Sequence, residues 1–414
     1  MKPTYLARRS FVCLALAVLF AGAGFLTGAL AADDTAVVDA IPAPGVAQGT
    51  LGFSLKEFER QRVLKAANEY INDKPVTITS FPTTRSAGGL HDYYSQADYY
   101  WPNPDDPNGP YVNRDGQSNP DNFNDHRLAL IHMSIKVAAL TAAYEISGDN
   151  LYASHAVDHL RAWFVDPATM MNPNLLYSQA VTHLNTGRSI GIIDTLHLVE
   201  VARSVEILRR SGAIDKDDLD GVTKWFADYM KWMTTHPHGL QEGNARNNHA
   251  TCYWLQVSAF AHMLGDEKEL AECRRRFKEQ LLPQIAENGS FPQELRRTKP
   301  YCYSMFNLDQ MTALAWLLST PTDNLFEYKT PDGRSLRNGP AYMYPYVKDK
   351  SAWPLKPDVQ WWQYWPVRSC TWLFGGLAYN QPQYIDLWKT LEANPTNEEV
   401  LRNLPIRQPV LWVD

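Results

Sequence analysis

Amphipathic helical stripes, separated by short breaks, are the feature that most constrains the fold of this chain. Apolar residues recur at intervals of three or four, as at Leu130, Met133, Val137, Leu140 and Tyr144, which is the spacing of one helix face. Gly, Asn and Asp separate the stripes, and no run shows sustained strand alternation. Comparable stripes occupy residues 55–72, 149–164, 187–211, 216–234, 248–264, 267–287, 303–318 and 366–379.

Consecutive helices with short connections must pack as antiparallel hairpins. Repeated around a centre, such hairpins make an α/α toroid with a cleft at one end. The sequence therefore predicts an all-α fold, with a single toroid domain over residues 53–414. A plain helical bundle or a solenoid is the alternative, although no repeat of fixed period supports a regular solenoid.

Two long segments, residues 74–126 and 322–365, lack helical periodicity and are rich in Pro and aromatic residues. Loops of this length in a compact chain usually carry function or are disordered. Because the many aromatic side chains favour ordered packing, we expect residues 74–126 to lie over the cleft as a long N-terminal loop. We expect residues 322–365 to cover a rim of the same cleft.

The N-terminus has the pattern of a secretory signal peptide. Three basic residues precede an apolar run that ends in the small-x-small cleavage site Ala29-Leu30-Ala31. The sequence therefore predicts a signal peptide at residues 1–31 and a periplasmic or secreted mature protein, with no membrane partner after cleavage. An uncleaved membrane anchor is the alternative. Residues 32–52 are predicted to form a flexible leader.

The mature chain is acidic. Removing the signal peptide takes away three basic and no acidic residues, so the formal net charge falls from −6 to −9. This argues against nucleic acid as a partner, and any acidic ligand must bind in a local basic cleft. Export permits a disulfide, but we interpret the four remaining cysteines, which match no zinc motif, mainly as buried thiols: Cys252, Cys273, Cys302 and Cys370.

The first candidate constellation is Asn247-Asn248-His249, which precedes a long apolar run. Asn is a good N-cap, so this trio is predicted to lie at a helix start. A helix N-terminus presents free N–H groups and partial positive charge. Two amides and an imidazole at that place could bind a carboxylate, and simple capping by one Asn is the alternative.

The second constellation is a basic and aromatic turn that contains Arg296, Arg297, Lys299, Tyr301 and Tyr303. It is the densest local positive charge near aromatic residues in this acidic protein. A tyrosine beside an arginine has its phenolate stabilised, so we expect the pKa of this tyrosine hydroxyl to fall toward the working range. A solvated basic turn without function is the alternative.

The third constellation joins His183 to Arg188 at the start of another helical stripe. It could bring a second imidazole and a guanidinium to the same end of the toroid, and a packed loop histidine is the alternative. His91, Tyr94 and Arg114 in the long N-terminal loop are further candidates for ligand contacts.

In this order, the three constellations resemble the alginate lyase family of helical-toroid polysaccharide lyases. The resemblance runs from about Phe81 to the C-terminus. Within it, Ser-Ala-Gly-Gly-Leu-His-Asp-Tyr-Tyr at residues 86–94 and the Gly-Pro-Tyr…Arg-Asp-Gly pattern at residues 109–116 look like the branch with a long N-terminal loop. That branch includes lyases for alginate and for glucuronan.

The resemblance implies an Asn-His pair at Asn248 and His249, an arginine at Arg297 and a catalytic tyrosine at Tyr303. A family interval that is one residue longer would select Arg296 instead. At position 302 a cysteine stands where the family often has histidine, which puts that accessory role in doubt.

The resemblance also implies β-elimination on a 4-linked polyuronate without metal or organic cofactor. Arg297 and Asn248 would bind the carboxylate beside the reacting carbon, and His249 could assist them. Tyr303 would take the C5 proton and then protonate the leaving oxygen. In mannuronate and glucuronate both events lie on one ring face, so one tyrosine can serve both. In guluronate the proton lies on the opposite face, and His249 or His183 would have to act as a second base.

Two other functions compete with a lyase. A glycoside hydrolase on the same toroid would need two carboxylates in the cleft, for which Glu294 and Asp92 are the candidates. A non-catalytic glycan-binding protein would bind the polymer without changing its length. The sequence alone leaves these alternatives open, since a fold does not determine chemistry.

Overall fold

The computed structural model of the protein describes residues 52–413, and helices dominate this part of the chain. Its helices are α1 (Leu55–Tyr70), α2 (Asp125–Ser147), α3 (Asn150–Phe164), α4 (Leu198–Arg210), α5 (Lys216–Thr235), α6 (Pro237–Gly243), α7 (Asn248–Leu264), α8 (Glu267–Arg276), α9 (Pro292–Leu295), α10 (Pro300–Leu318), α11 (Asn338–Lys348), α12 (Cys370–Ala378), α13 (Pro382–Thr390) and α14 (Glu398–Arg402). The predicted signal peptide and nearly all of the predicted leader lie outside the described residues.

The helices pack as the antiparallel hairpins that the sequence predicts. Neighbours along the chain pair with each other, such as α2 with α3, α7 with α8, and α12 with α13. Five helices form the inner row, in which each contacts the next: α2, α4, α7, α10 and α12. The architecture is the predicted α/α toroid.

The inner helices are buried on almost every side. Every residue of α10 is buried, and so are most residues of α7, so these two helices contact other parts of the protein on nearly all sides. Helix α2 is long and apolar enough to cross a membrane by length and composition. However, 67% of its most apolar window is buried inside the protein, as in the core helix of a globular domain.

Three predicted segments differ from the structure. The stripe over residues 187–211 is divided into a 3₁₀ turn at Ser189–Thr195 and helix α4. Helix α8 ends at Arg276, and a π-turn then leads to Pro283, whose ring and missing N–H stop a regular helix. The segment 322–365, predicted to be irregular, contains α11, which was hidden because a proline lies inside it.

The loop over residues 74–124 is ordered by two small sheets. Strand β1 (Tyr94–Gln96) pairs in parallel with β4 (Tyr177–Ala180), and β2 (Tyr100–Trp101) pairs with β3 (Val112–Asn113) in antiparallel fashion. Aromatic side chains such as the fully buried Tyr93 anchor it to the core. The four cysteines of the described chain are buried and free.

Candidate active site

A cavity of about 530 Å³ opens at the end of the toroid where α7 and α10 begin. The N-terminal loop supplies one wall of this cavity, and the starts of the two helices supply another. Its lining includes Asp98, Tyr99, Tyr100, Asn113, Asp115, Gln179, Arg188, Asn247, Asn248, His249, Arg297, Tyr303, Phe306, Arg402 and Asn403.

Asn247 and Asn248 make different hydrogen bonds at the start of α7. Asn247 is the N-cap, and its side chain accepts a hydrogen bond from the backbone N–H of His249. Asn248 donates its backbone N–H to Glu294 at 2.8 Å and its side-chain N–H to the same carboxylate at 2.7 Å. Because Glu294 is completely buried and also accepts from Asn307 at 3.2 Å, the Asn248 amide is held in one orientation.

His249 is held by a second buried carboxylate. Its Nδ1 lies 2.6 Å from Oε1 of Glu242, whose exposed fraction is only 3%. A carboxylate can only accept a hydrogen bond, so Nδ1 of His249 carries the proton and donates it. The ring lines the cavity, with Nε2 as its remaining polar atom.

Arg297 reaches from the turn between α9 and α10 to the N-terminal loop. Its single Nε–H is shared between the two carboxylate oxygens of Asp115, both at 3.1 Å, and Nη2 donates to Oδ1 at 2.6 Å. Asp115 also accepts from the backbone and hydroxyl of Thr298. Burial by itself would raise the pKa of the Asp115 carboxyl, but Arg297 and Thr298 hold this pKa below its usual value. The pair fastens the loop to the end of the toroid at which the cavity opens.

Tyr303 lies in the first turn of α10 beneath this arginine. The guanidinium of Arg297 is 4.4 Å from the centre of the Tyr303 ring, and the Tyr303 hydroxyl donates to the hydroxyl of Tyr99 at 2.8 Å. Burial and the neighbouring Tyr99 raise the pKa of Tyr303 well above its ordinary value, although Arg297 acts in the opposite direction. The expectation of a lowered pKa for Tyr303 is therefore wrong. The side chain is only 6% exposed, and the effect of desolvation on its pKa is larger than that of the Arg297 guanidinium.

Arg188 is a cavity cation without an acidic partner. Its hydrogen bonds go to the carbonyl of Gln179 at 2.9 Å, to the Gln179 side chain at 3.2 Å and to the Tyr100 hydroxyl at 3.5 Å. In the described part of the chain it forms no ion pair. Burial lowers its pKa from the ordinary arginine value. An anionic ligand would supply the charge partner that this guanidinium lacks.

A buried network of alternating charges lies beside Tyr99 and Tyr303. Asp98 pairs with Arg127 at 2.6 Å and with Arg402, while Glu399 pairs with Arg402 at 3.3 Å and with Lys299 at 2.5 Å. It links the N-terminal loop, α2, the start of α10 and the C-terminal helix α14. Removing one member would leave a buried charge uncompensated, which is strongly destabilising.

A family model described as alginate lyase matches residues 77–353, which is more than half of the chain. The chain belongs to the alginate lyase family. The enzyme is a polysaccharide lyase. No curated protein matches the sequence.

Solved structures agree with this assignment. An alginate lyase from Bacteroides ovatus is 30% identical, with a TM-score of 0.74, over 86% of this chain and 93% of that one. Alginate lyase A1-III from Sphingomonas species A1 is 14% identical with a TM-score of 0.51, over 85% and 94% of the two chains. A variant of A1-III complexed with a tetrasaccharide is 13% identical, with a TM-score of 0.55, over 87% and 94%. The A1-III comparisons show the fold alone.

The structure brings six of the predicted site residues to the cavity of the lyase: Tyr303, Arg297, Asn248, His249, Asn247 and Arg188. Arg296, the alternative to Arg297, is exposed and outside the lining. Segment 322–365 supplies none of the lining residues, and its contacts are with neighbours of the cavity, where Val359 donates its N–H to the carbonyl of Thr298 and Gln360 accepts from the N–H of Ser118. Its Asp358 accepts hydrogen bonds from the backbone N–H groups of Tyr301 and Cys302 and so caps α10.

Four other predicted contacts lie elsewhere. His183 and Tyr94 line a separate cavity of about 460 Å³, and Nδ1 of His183 bonds to the carbonyl of Gly109. His91 bonds through Nδ1 to the carbonyl of Met170, and Arg114 stacks on Trp101 at 5.0 Å. For His183, the contact with the Gly109 carbonyl agrees with the alternative of a packed loop histidine.

Sequence reasoning missed Glu242 and Tyr99. Glu242 lies seven residues before His249 on another helix, and no pattern in the sequence marks it as a partner. Tyr99 belongs to the run Tyr99-Tyr100-Trp101, where only the fold decides which aromatic ring faces the cavity. Within residues 52–413 there is also no group of three or more His, Cys, Asp or Glu side chains placed to hold a metal ion.

Proposed function

We propose that this lyase cleaves a 4-linked polyuronate by β-elimination, with Tyr303 as the proton-transferring residue. The observation that carries the proposal is the meeting of Asn248, His249, Arg297 and Tyr303 around one cavity. The match to the alginate lyase family and the naming of the 30% identical relative as an alginate lyase support a uronate polymer, and the resemblance to the glucuronan branch makes glucuronan the other candidate.

The first requirement of the reaction is to neutralise the uronate carboxylate. The C5 proton is too weakly acidic while that carboxylate keeps its full charge, and charge builds up on it as the proton leaves. Arg188, which has no acidic partner in the described chain, and the fixed amide of Asn248 are suited to this task. Preorganised donors of this kind stabilise developing charge without reorganising.

The second requirement is proton transfer, which the state of Tyr303 constrains. Its raised pKa makes the resting side chain a phenol, which is the form that can protonate the leaving O4. To act first as base, it must lose its proton, and Arg297 at 4.4 Å and Lys299 at 5.3 Å from the ring would then stabilise the phenolate. The Tyr303 oxygen would serve as both base and acid on substrates in which the C5 proton and the leaving O4 lie on the same face of the ring.

The structure disfavours the glycoside hydrolase alternative. Glu294 is completely buried behind Asn248 and does not line the cavity. Asp92, in the N-terminal loop, accepts hydrogen bonds from Gly89 and Asn172. It also lies outside the cavity lining. Among the lining carboxylates, Asp98 and Asp115 are each engaged with arginine, so neither is suited to be a protonated acid.

We expect the purified enzyme to act on polymannuronate or glucuronan faster than on polyguluronate. The reason is that a single Tyr303 suits elimination on one ring face. Incubation with the three polymers, followed by near-ultraviolet absorbance of the unsaturated ends, measures this. Activity on polyguluronate alone would overturn the preference, new reducing ends without absorbance would indicate hydrolysis, and binding without shortening would indicate a glycan-binding protein.

We also propose that the mature enzyme acts in the periplasm or outside the cell. The support is the basic start, apolar run and Ala29-Leu30-Ala31 site at the N-terminus. Expressed in a bacterium with its full N-terminus, the protein should appear in the exported fraction with Ala32 as its first residue by mass spectrometry. An intact N-terminus in the membrane fraction would indicate an uncleaved anchor instead.

A further inference from the structure

Glu242 is a buried carboxylate that contacts one titratable side chain, His249, within the described part of the chain. It lies near the end of α6, with an exposed fraction of 3%, and its one ion-pair partner among the described residues is His249 at 2.6 Å. The adjoining carbonyl of Gly243 accepts hydrogen bonds from Trp254 at 2.9 Å and Gln280 at 2.7 Å. The carboxylate therefore sits on a firmly anchored segment.

The contact compensates only part of the cost of burying Glu242. Burying a carboxylate costs several kcal/mol unless a full charge and hydrogen bonds compensate it, and Nδ1 of His249 supplies the one hydrogen bond that this carboxylate accepts from the described residues. What the contact does supply is a fixed tautomer: with the proton on Nδ1, Nε2 of a neutral ring is a free acceptor. Since the ring lines the cavity, this acceptor is available to a ligand there.

The charges around His249 come from several elements. Glu242 on α6 and Glu294 on α9 are the acidic groups nearest to it. The other ionisable groups of the same cavity come from the N-terminal loop, the 3₁₀ turn, the α9–α10 turn, α10 and α14: Asp98, Tyr99, Tyr100, Asp115, Arg188, Arg297, Tyr303 and Arg402. Glu242 is the one acid that touches the imidazole, so it controls the tautomer.

We propose that Glu242 is a positioning residue of the lyase: it fixes His249 as the Nδ1–H tautomer and so presents Nε2 as a base for uronates whose C5 proton faces away from Tyr303. The inference rests on the proposed β-elimination. In that step the C5–H bond breaks and its proton goes to Nε2. The electron pair forms the C4–C5 double bond, the C4–O4 bond breaks, and O4 takes its proton from Tyr303.

The chain contains a matched control pair. Nδ1 of His262, near the C-terminal end of α7, lies 2.6 Å from Oε1 of Glu206, which repeats the contact of His249 with Glu242. Neither His262 nor Glu206 lines the cavity. Glu206→Gln therefore makes the same chemical change to a carboxylate–imidazole pair without touching the site.

The experiment compares Glu242→Gln and Glu206→Gln with the unchanged enzyme. Wild type should cleave polyguluronate measurably, although more slowly than polymannuronate. Glu242→Gln should lower kcat on polyguluronate by roughly 10–100-fold, as loss of an orienting partner typically does, with a smaller change in KM. The loss of kcat on polymannuronate should be smaller than on polyguluronate, because there Tyr303 takes the C5 proton. Glu206→Gln should change none of these.

A second measurement does not depend on activity. Nitrogen chemical shifts of ¹⁵N-histidine-labelled protein report the tautomer, with His249→Asn to assign the signal. We expect Nδ1–H for His249 in wild type and loss of that preference in Glu242→Gln. An Nε2–H tautomer in wild type, a wild type that cleaves polymannuronate but not polyguluronate, or unchanged polyguluronate kinetics in Glu242→Gln would each overturn the inference. Absence of elimination on every polymer would instead refute the proposed function, while the tautomer would still be measurable.

Discussion

Replacing Tyr303 with Phe should lower the turnover of β-elimination by roughly a thousandfold or more, because each proton-transfer role is worth ~10²–10⁴. The change removes only the hydroxyl that donates to Tyr99 at 2.8 Å. The ring, which is buried below Arg297, keeps its packing. We therefore expect circular dichroism and the affinity for oligouronates to stay close to wild type.

Tyr301→Phe is the matched control for this variant. Tyr301 lies on the same helix, is fully buried and donates its hydroxyl to the carbonyl of Tyr346 at 3.1 Å, outside the cavity lining. It should retain most of the turnover at a small cost in stability. If folded Tyr303→Phe kept near-full elimination activity, Tyr303 would not be the proton carrier, and the proposed mechanism would fail.

The sequence predicts the parts of this site that are encoded locally. Asn248 and His249 stand where an apolar run begins, and a helix must start there, so their position at one end of the toroid follows from capping rules. Arg297 and Tyr303 bracket the start of another helix in the same way. Because antiparallel hairpins bring alternate helix starts to one end, the convergence of these residues could be predicted before the structure.

The parts that the sequence does not predict depend on contacts between distant segments. The pairing of Arg297 with Asp115 joins residues 182 positions apart, and no local pattern encodes it. The direction in which the pKa of Tyr303 shifts depends on how deeply the side chain is buried, and the neighbouring residues in the sequence do not reveal this burial. His183 looks like a ligand residue in the sequence, yet its backbone, at a φ of 62°, turns the side chain toward the loop carbonyl of Gly109.

Although the protein is acidic, its cavity is suited to an anion because the carboxylates that line the cavity are paired with arginines. Asp98 and Asp115 each pair with arginines, while Arg188 forms no ion pair within the described chain. The field inside a cleft depends on such local arrangement and not on net charge. This reconciles a chain of formal charge −6 with a polyanionic substrate.

Arg297→Ala should lower turnover by roughly 10²–10³-fold, the loss that follows removal of one preorganised donor at developing charge. It should also weaken oligouronate binding. Two causes contribute: the guanidinium no longer stabilises the phenolate of Tyr303 or the substrate carboxylate, and Asp115 is left as an unpaired carboxylate that repels an anionic ligand. Elimination rate and oligouronate affinity, measured separately, report these two effects.

The double variant Asp115→Asn with Arg297→Ala separates the causes. Removing the orphaned negative charge should recover part of the lost affinity, because repulsion is gone, but it should not recover turnover, because the cation beside Tyr303 is still absent. Arg296→Ala is the informative comparison, since Arg296 is exposed and outside the cavity lining; an equal loss there would transfer the role to Arg296. Full recovery of turnover in the double variant would mean that Arg297 serves only to neutralise Asp115 and takes no part in stabilising the transition state.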